Sequence, residues 1–311
     1  MKIVVLDGYA HNPGDLSWDE MRALGDVEIY DRTKESEIVS RAFHADAILT
    51  NKCPLKEETI TRLPRLKYIG VLATGYNVVD TAFAKKAGIV VTNIPAYSTK
   101  SVSQHVFALI LEIASNVAKH SESVKAGRWQ TNPDFCYWLT PLTELAGKTL
   151  GIIGHGAIGR EVEKIARAFD MNVLSYSPSR CKKEALLEIY EKSDVISLNC
   201  PLTKENAGMI SKETISLMKT GVWIINTARG GLVNEEDTAD ALKNGKIGAY
   251  AADVVSVEPI SADNPLLSAP NCILTPHIAW APKEARIRLM DIAVKNLQGF
   301  MNGTIINQVN V

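Results

Sequence analysis

A chain of 311 residues exceeds one ordinary domain and suits two, each able to bury its own core, with a cleft expected between them. Its 34 basic and 35 acidic residues nearly cancel and lie scattered singly, which excludes the basic stripe that nucleic acid or an anionic membrane surface requires. The opening run Ile3-Val4-Val5-Leu6 meets Asp7 too soon for a signal peptide, and the longest apolar stretch, Val106 to Ile113, is broken by Glu112 well short of a membrane span. A cytoplasmic location follows as the expectation. The five cysteines, Cys53, Cys136, Cys181, Cys200 and Cys272, are far apart and form no CxxC pair, so reduced and mostly buried thiols are expected, with no disulfide framework and no metal site.

Short β-branched runs then alternate with polar helical stretches, the pattern of a parallel sheet with crossover helices. The predicted strands are Ile3 to Leu6, Val27 to Tyr30, Ala47 to Thr50, Tyr68 to Leu72 and Ile89 to Thr92. Asn93-Ile94-Pro95 breaks this series, and Ser98 to Lys119 reads as one long helix with Val102, Val106, Leu109, Ile110 and Ile113 on a shared face. A second series opens at Thr149 to Ile153 and continues through Val173 to Tyr176, Val195 to Leu198, Val222 to Asn226, Ala249 to Asp253 and Ile273 to Thr275. Arg286 to Phe300 is helical by the spacing of Leu289, Ile292, Ala293 and Leu297, and has no strand after it in the second series, so it is free to return to the first.

Gly154-His155-Gly156-Ala157-Ile158-Gly159 follows an apolar strand and precedes the amphipathic stretch Ile158, Val162, Ile165, Ala166, Phe169, the context in which GxGxxG signifies a dinucleotide site. The glycines permit a tight turn and close backbone approach, and the helix N-terminus offers unpaired N–H groups to a pyrophosphate. At the end of the next strand, where a carboxylate usually holds the ribose hydroxyls, stands Ser177, with Arg180 and Lys182 close behind, which leaves both NAD(H) and NADP(H) open. Arg229, Glu258 and His277 fall at or just after strand ends of the second series, where catalytic groups gather in doubly wound sheets. Arg229 sits in Asn226-Thr227-Ala228-Arg229-Gly230-Gly231, and its guanidinium suits a bidentate grip on a carboxylate, with a surface salt bridge as the alternative. Of the other histidines, His11, His44 and His120 read as surface residues, His105 as a packing or interface residue of the long helix, and His155 as a contributor of backbone alone.

Asn226 to Gly231, Cys200-Pro201-Leu202-Thr203, Asp253-Val254 with Glu258-Pro259, and Pro276-His277-Ile278-Ala279 together resemble the D-2-hydroxyacid dehydrogenase family over essentially the whole chain. Asp134-Phe135-Cys136-Tyr137-Trp138 and His277-Ile278-Ala279-Trp280-Ala281 look most like its glycerate dehydrogenase (hydroxypyruvate reductase) members. The resemblance implies an α/β fold of two doubly wound domains. A Rossmann-type cofactor domain, 98–287, would be inserted into a flavodoxin-like substrate domain, 1–97 with 288–311. It implies His277 as general acid and base, Glu258 on its other ring nitrogen to fix the tautomer, and Arg229 on the 2-oxo acid's carboxylate and carbonyl. Asp253 would hydrogen-bond the nicotinamide amide, Cys200, Pro201, Thr227, Ala228 and Ala279 would line the cofactor, and the N–H groups of Thr74, Gly75 and Tyr76 would receive the substrate carboxylate, with Lys52 and Trp280 nearby. It also implies a homodimer through the helix after Ser98, with Trp138 reaching the neighbouring site. Phosphoglycerate dehydrogenases, also similar, commonly carry an arginine where Val71 and Leu72 precede Ala73-Thr74-Gly75, so an unphosphorylated 2-oxo acid, hydroxypyruvate, fits better. An NADPH-dependent glyoxylate or broad 2-oxo acid reductase, and more distantly a nicotinamide-sensing corepressor, are the alternatives.

Overall fold

The computed structural model describes residues 1–178 and 181–311, and Arg180 lies outside the described residues. The chain forms two compact units, Met1–Ser98 with Ala281–Val311, and Thr99–Trp280. The second junction falls ahead of the expected residue 288. The terminal helix already begins at Lys283 and runs unbroken to Met301, so its first turn belongs with the rest of it.

The first unit carries a five-stranded parallel sheet built from β1 (Lys2–Val5), β2 (Asp26–Ile29), β3 (Ala47–Thr50), β4 (Tyr68–Val71) and β5 (Val90–Thr92), in the order β2-β1-β3-β4-β5. This is the flavodoxin-like order. β3 and β4 are buried at every position, as expected of parallel strands covered on both faces. The terminal helix packs on β4, where Phe300 meets Tyr68 with ring centroids 5.0 Å apart. The tail after it closes the β5 edge. Gln308 bridges Thr92 in antiparallel fashion, while the Asn310 amide accepts from Val91 N and donates to Ile89 O.

His11 corrects the sequence expectation, being fully buried in this unit rather than on its surface. Its Nε2 donates to Leu72 O at 2.9 Å, and burial lowers its pKa. A 3-10 turn, Gly8–Ala10, follows Asp7 and is closed by His11 N donating to Gly8 O, a reversal that the local pattern does not reveal. A base held neutral in the fold binds fewer protons than in the unfolded chain, so this contribution is present above the ordinary histidine value of 6.5 and is lost as pH falls below it. His11→Gln keeps a donor at the same reach without titrating. Melting followed by circular dichroism from about pH 7 to about pH 5 should therefore fall less steeply for H11Q than for the wild type, and equal slopes would remove His11 as the cause.

The second unit carries a six-stranded parallel sheet of β6 (Thr149–Ile153), β7 (Asn172–Tyr176), β8 (Val195–Leu198), β9 (Val222–Asn226), β10 (Ile247–Ala252) and β11 (Cys272–Leu274). The order is β11-β10-β9-β8-β6-β7, a doubly wound sheet whose direction of growth switches at β6. Among the described residues no strand pairs outside β7. The long helix expected from Ser98 to Lys119 is instead two, Thr99–Ser115 and Val117–Lys125, separated by Asn116 at φ 47°. Asparagine tolerates this left-handed backbone, and the apolar stripe of the first helix does not continue, since Val117 is 63% exposed. His120 is only half exposed. Its Nδ1 donates to Asn116 O, leaving Nε2 to accept from Leu139 N. Of the thiols, Cys53 and Cys200 are buried, Cys181 and Cys272 partly so, and Cys136 is exposed. Among the described residues no helix is long and apolar enough to cross a membrane.

Candidate active site

Strand register places the candidate residues of the second unit on one line. Tyr176, Ile153, Leu198, Asn226, Ala252 and Leu274 pair successively across β7, β6, β8, β9, β10 and β11, so these six carboxyl ends finish level. Ser177, Gly154, Cys200, Thr227, Arg229, Asp253 and His277 all fall within three residues beyond that line. With neighbouring strands about 4.8 Å apart, loops from different parts of the sequence become neighbours along one sheet end.

The glycine turn leaves β6 with Gly154 at φ 100°, where a Cβ would stand 2.5 Å from the Asn199 and Cys200 backbone. At Gly159, inside the helix Ala157–Ala168, a Cβ would lie 2.2 Å from Gly154 O, so helix and strand close together only through glycine. A Cβ at Gly156 would meet nothing within 4 Å. Two glycines are therefore explained by packing within the chain, while Gly156 leaves open space beside the helix N-terminus, formed by Ala157 and Ile158, as a bound pyrophosphate requires. The His155 side chain turns away to pair with Glu163 at 2.6 Å, and Arg167, bonded to the same carboxylate, holds the Glu163 pKa down. His155 is thus left to offer backbone here. Among the described residues the buried Thr227 hydroxyl has no hydrogen-bond partner, an orphan that a bound cofactor would satisfy. Ser177 is half-buried at the end of β7 and Ala228 half-buried beside Thr227. The Cys200 thiol is buried, which raises its pKa and leaves it as lining rather than nucleophile. Asn206 pins the exposed Pro201 by donating to its carbonyl at 2.8 Å.

Arg229 is positioned by Asn226, whose buried amide donates to Arg229 O and accepts from Ala228 N, shaping the loop after β9. A Cβ at Gly230 would sit 1.9 Å from the Val255 backbone, so this loop presses directly on the segment leading to Glu258. The guanidinium bonds Ala228 O at 2.7 Å and has no acidic partner among the described residues. A surface salt bridge therefore does not explain Arg229, and most of its five N–H donors are left for a ligand. Glu235 fixes the other side of the segment, accepting from Ser256 N and Oγ and from Asn264 Nδ2.

Glu258 Oε2 lies 2.7 Å from His277 Nδ1, with both side chains 32% exposed. A carboxylate only accepts, so Nδ1 carries the hydrogen and Nε2 is the nitrogen that exchanges a proton with a substrate. His277 itself has φ 55°, a conformation in which histidine is over-represented among non-glycine residues. Asp253, 1% exposed, accepts from Ile278 N and Thr275 Oγ1 through one oxygen and from Ala279 N through the other. Most of its acceptor capacity is therefore spent holding the His277 loop. Ala279 is buried by this clamp, and Trp280 is half-buried at the end of the unit.

In the first unit, Asp7 accepts from the backbone amides of Asn51, Lys52 and Cys53, which sets Lys52 just beyond β3 with its side chain exposed. Thr74 donates to Ile94 O, and its own carbonyl accepts from Asn93. The N–H groups of Thr74, Gly75 and Tyr76 make no hydrogen bond within the chain among the described residues, as suits a loop that receives an anion.

Residues 107–279 match the D-isomer specific 2-hydroxyacid dehydrogenase, NAD binding domain. The hydroxypyruvate reductase of Blautia hydrogenotrophica is 52% identical over the whole of both chains. This chain belongs to the D-isomer specific 2-hydroxyacid dehydrogenase family. The glycerate dehydrogenase of Methylorubrum extorquens is 43% identical over 88% of each chain. The D-lactate dehydrogenase of Aquifex aeolicus, solved with NAD and lactic acid, superposes with a TM-score of 0.81 at 32% identity, covering 98% of this chain and 96% of that one. The protein is accordingly an oxidoreductase that uses a nicotinamide cofactor. Sequence reasoning missed the positioning roles of Asn206, Asn226 and Glu235 in this dehydrogenase, and the bonds by which Thr275, Ile278 and Ala279 meet Asp253. Asn226, Ile278 and Ala279, inside the motifs, carried a local signal.

Proposed function

We propose that this dehydrogenase interconverts hydroxypyruvate and D-glycerate, with His277 as general acid and base. The observation that carries the reading is the Glu258–His277 pair at 2.7 Å at the same sheet end as Arg229, which has no acidic partner among the described residues. The 52% identity to a hydroxypyruvate reductase supports the substrate. The glycine turn and the strand-end line would hold a nicotinamide cofactor, which would supply the hydride for the keto acid or take it from the alcohol. In reduction, His277 gives the Nε2 proton to the carbonyl oxygen as it gains charge, and Glu258 holds the ring through Nδ1. Arg229 grips the carboxylate and polarises the carbonyl, favouring the alkoxide-like state. The Thr74 to Tyr76 amides and Lys52 are proposed to receive the substrate's carboxylate end, and Trp280 to border it. Asp253, Thr227, Ala228, Cys200, Pro201 and Ala279 are proposed to line the cofactor, Asp253 with the acceptor capacity that its loop contacts leave.

Ser177 supplies no carboxylate to repel a 2′-phosphate, and NADPH is proposed to serve alongside NADH. Initial rates with hydroxypyruvate, glyoxylate, pyruvate and phosphohydroxypyruvate, each with both cofactors, test these points. Hydroxypyruvate should give the highest kcat/KM. A preference of about a hundredfold for NADH would overturn the NADPH proposal, and equal efficiency with the phosphorylated acid would overturn the substrate reading.

A homodimer is proposed through the face that follows the Thr99–Ser115 helix. Val117, Trp129, Phe135, Trp138 and Leu142 are all more than half exposed there, a density of bare apolar side chains that a protein partner would cover. The five unpaired thiols favour a reducing, cytoplasmic compartment.

A further inference from the structure

His105 is the one histidine of the second unit that sequence reasoning assigned to packing or an interface. It lies on the Thr99–Ser115 helix, which packs against β9, β10 and the glycine-turn helix. Its side chain is 19% exposed, and Nε2 stands 3.0 Å from Thr275 Oγ1 and 3.6 Å from Asp253 Oδ1. The directions of these bonds follow from the chemistry of the groups. As a carboxylate Asp253 can only accept, so the Thr275 hydroxyl, 2.6 Å away, spends its single hydrogen on Oδ1. Thr275 Oγ1 can then only accept from His105, whose Nε2 must be the protonated nitrogen. Both the neutral Nε2–H tautomer and the imidazolium satisfy this.

The Asp253 carboxylate is the centre of the arrangement. The amides of Ile278 and Ala279, two successive residues, each reach a different oxygen at 2.8 Å. Presenting consecutive N–H groups to one carboxylate requires a sharp turn just before them, and His277 is the residue that makes it, at φ 55°. A left-handed backbone at a non-glycine residue persists only where surrounding contacts hold it. The carboxylate plane therefore sets where the His277 ring stands, and the Thr275 hydroxyl helps to set that plane. With its hydrogen held by Asp253, the Thr275 hydroxyl keeps an acceptor side for a second partner. His105 occupies it from a helix that belongs to the packed core of the unit.

We infer that His105 is a positioning residue for His277, acting through the Thr275 hydroxyl and the Asp253 carboxylate rather than touching substrate. The inference rests on His277 being the acid and base, and the test separates the two. His105→Leu fills the space and removes the donor, whereas His105→Gln places an amide N–H at nearly the reach of Nε2. For H105L, kcat should fall about tenfold, the scale of one lost orienting hydrogen bond. Cofactor affinity, measured by fluorescence titration, should change less than about twofold. H105Q should recover most of the loss. Hydrogen exchange of the peptide containing Ile278 and Ala279 should quicken in H105L and return toward the wild-type rate in H105Q. This readout needs no turnover.

Unchanged exchange in H105L would overturn the inference, as would an H105Q variant as impaired as H105L, which would make the ring's packing the cause. A loss confined to cofactor affinity would overturn it too. His277→Asn measured alongside tells the two readings apart. If H277N keeps its rate, the acid-base assignment falls. If H277N is inactive and H105L is as fast as the wild type, only the role of His105 falls.

Discussion

Replacing His277 by alanine lowers kcat by about 10²–10⁴-fold, the span that general acid–base catalysis contributes, while the cofactor still binds. The proton leaves from Nε2, and no other described side chain stands on the Glu258 carboxylate to replace it. The glycine turn stands at the end of β6, separated from β11 by the intervening β8, β9 and β10, and keeps its geometry. Backbone conformation complicates the alanine variant, because φ 55° costs about 1–2 kcal/mol for an ordinary L-residue. His277→Asn is the cleaner companion, since asparagine adopts that conformation readily but cannot shuttle the proton. Both variants should lose turnover to a similar extent, with H277A also melting lower. Wild-type turnover in either one refutes the assignment.

Arg229→Ala should reduce kcat/KM by about 10²–10³-fold, comparable to the loss of a donor that stabilises developing oxyanion charge. The defect should divide between a raised KM and a lowered kcat, because one guanidinium both binds the carboxylate and polarises the carbonyl. Among the described residues no acidic side chain pairs with Arg229, so its removal strands no buried charge and the fold should be retained. Arg229→Lys should recover little, since a single ammonium cannot supply the planar pair of donors. A turnover defect with KM unchanged would deny Arg229 its binding role.

The strands were largely legible in the sequence, because parallel strands buried on both faces appear as unbroken apolar runs. Thr149–Ile153, Val195–Leu198 and Val222–Asn226 stand where the pattern placed them, and most other strands shifted by one or two residues. The strand ends carried the candidate residues, and Glu258 and His277 do meet across a separation of 19 residues. What stayed hidden depends on contacts between distant segments. Asn116 breaks a helix that its local periodicity allowed to continue. His11 is buried after the 3-10 turn Gly8–Ala10 and bonded to Leu72 O, a contact with a distant segment that no spacing announces. Asp253, expected to hydrogen-bond a nicotinamide, also spends most of its acceptor capacity on Thr275, Ile278 and Ala279. Its link to His105 runs through Thr275, which lies 170 positions from that histidine in the sequence. Glu235 likewise holds the Glu258 segment from another helix. These supporting residues look ordinary alone, and register gives them their meaning.

The most direct test of the proposed activity is the configuration of the product. The purified enzyme, incubated with hydroxypyruvate and reduced nicotinamide cofactor, should consume the cofactor in step with the appearance of glycerate, and chiral chromatography should find the D-enantiomer alone. Formation of L-glycerate or a racemate, or cofactor oxidation without glycerate, would contradict the reading of this site.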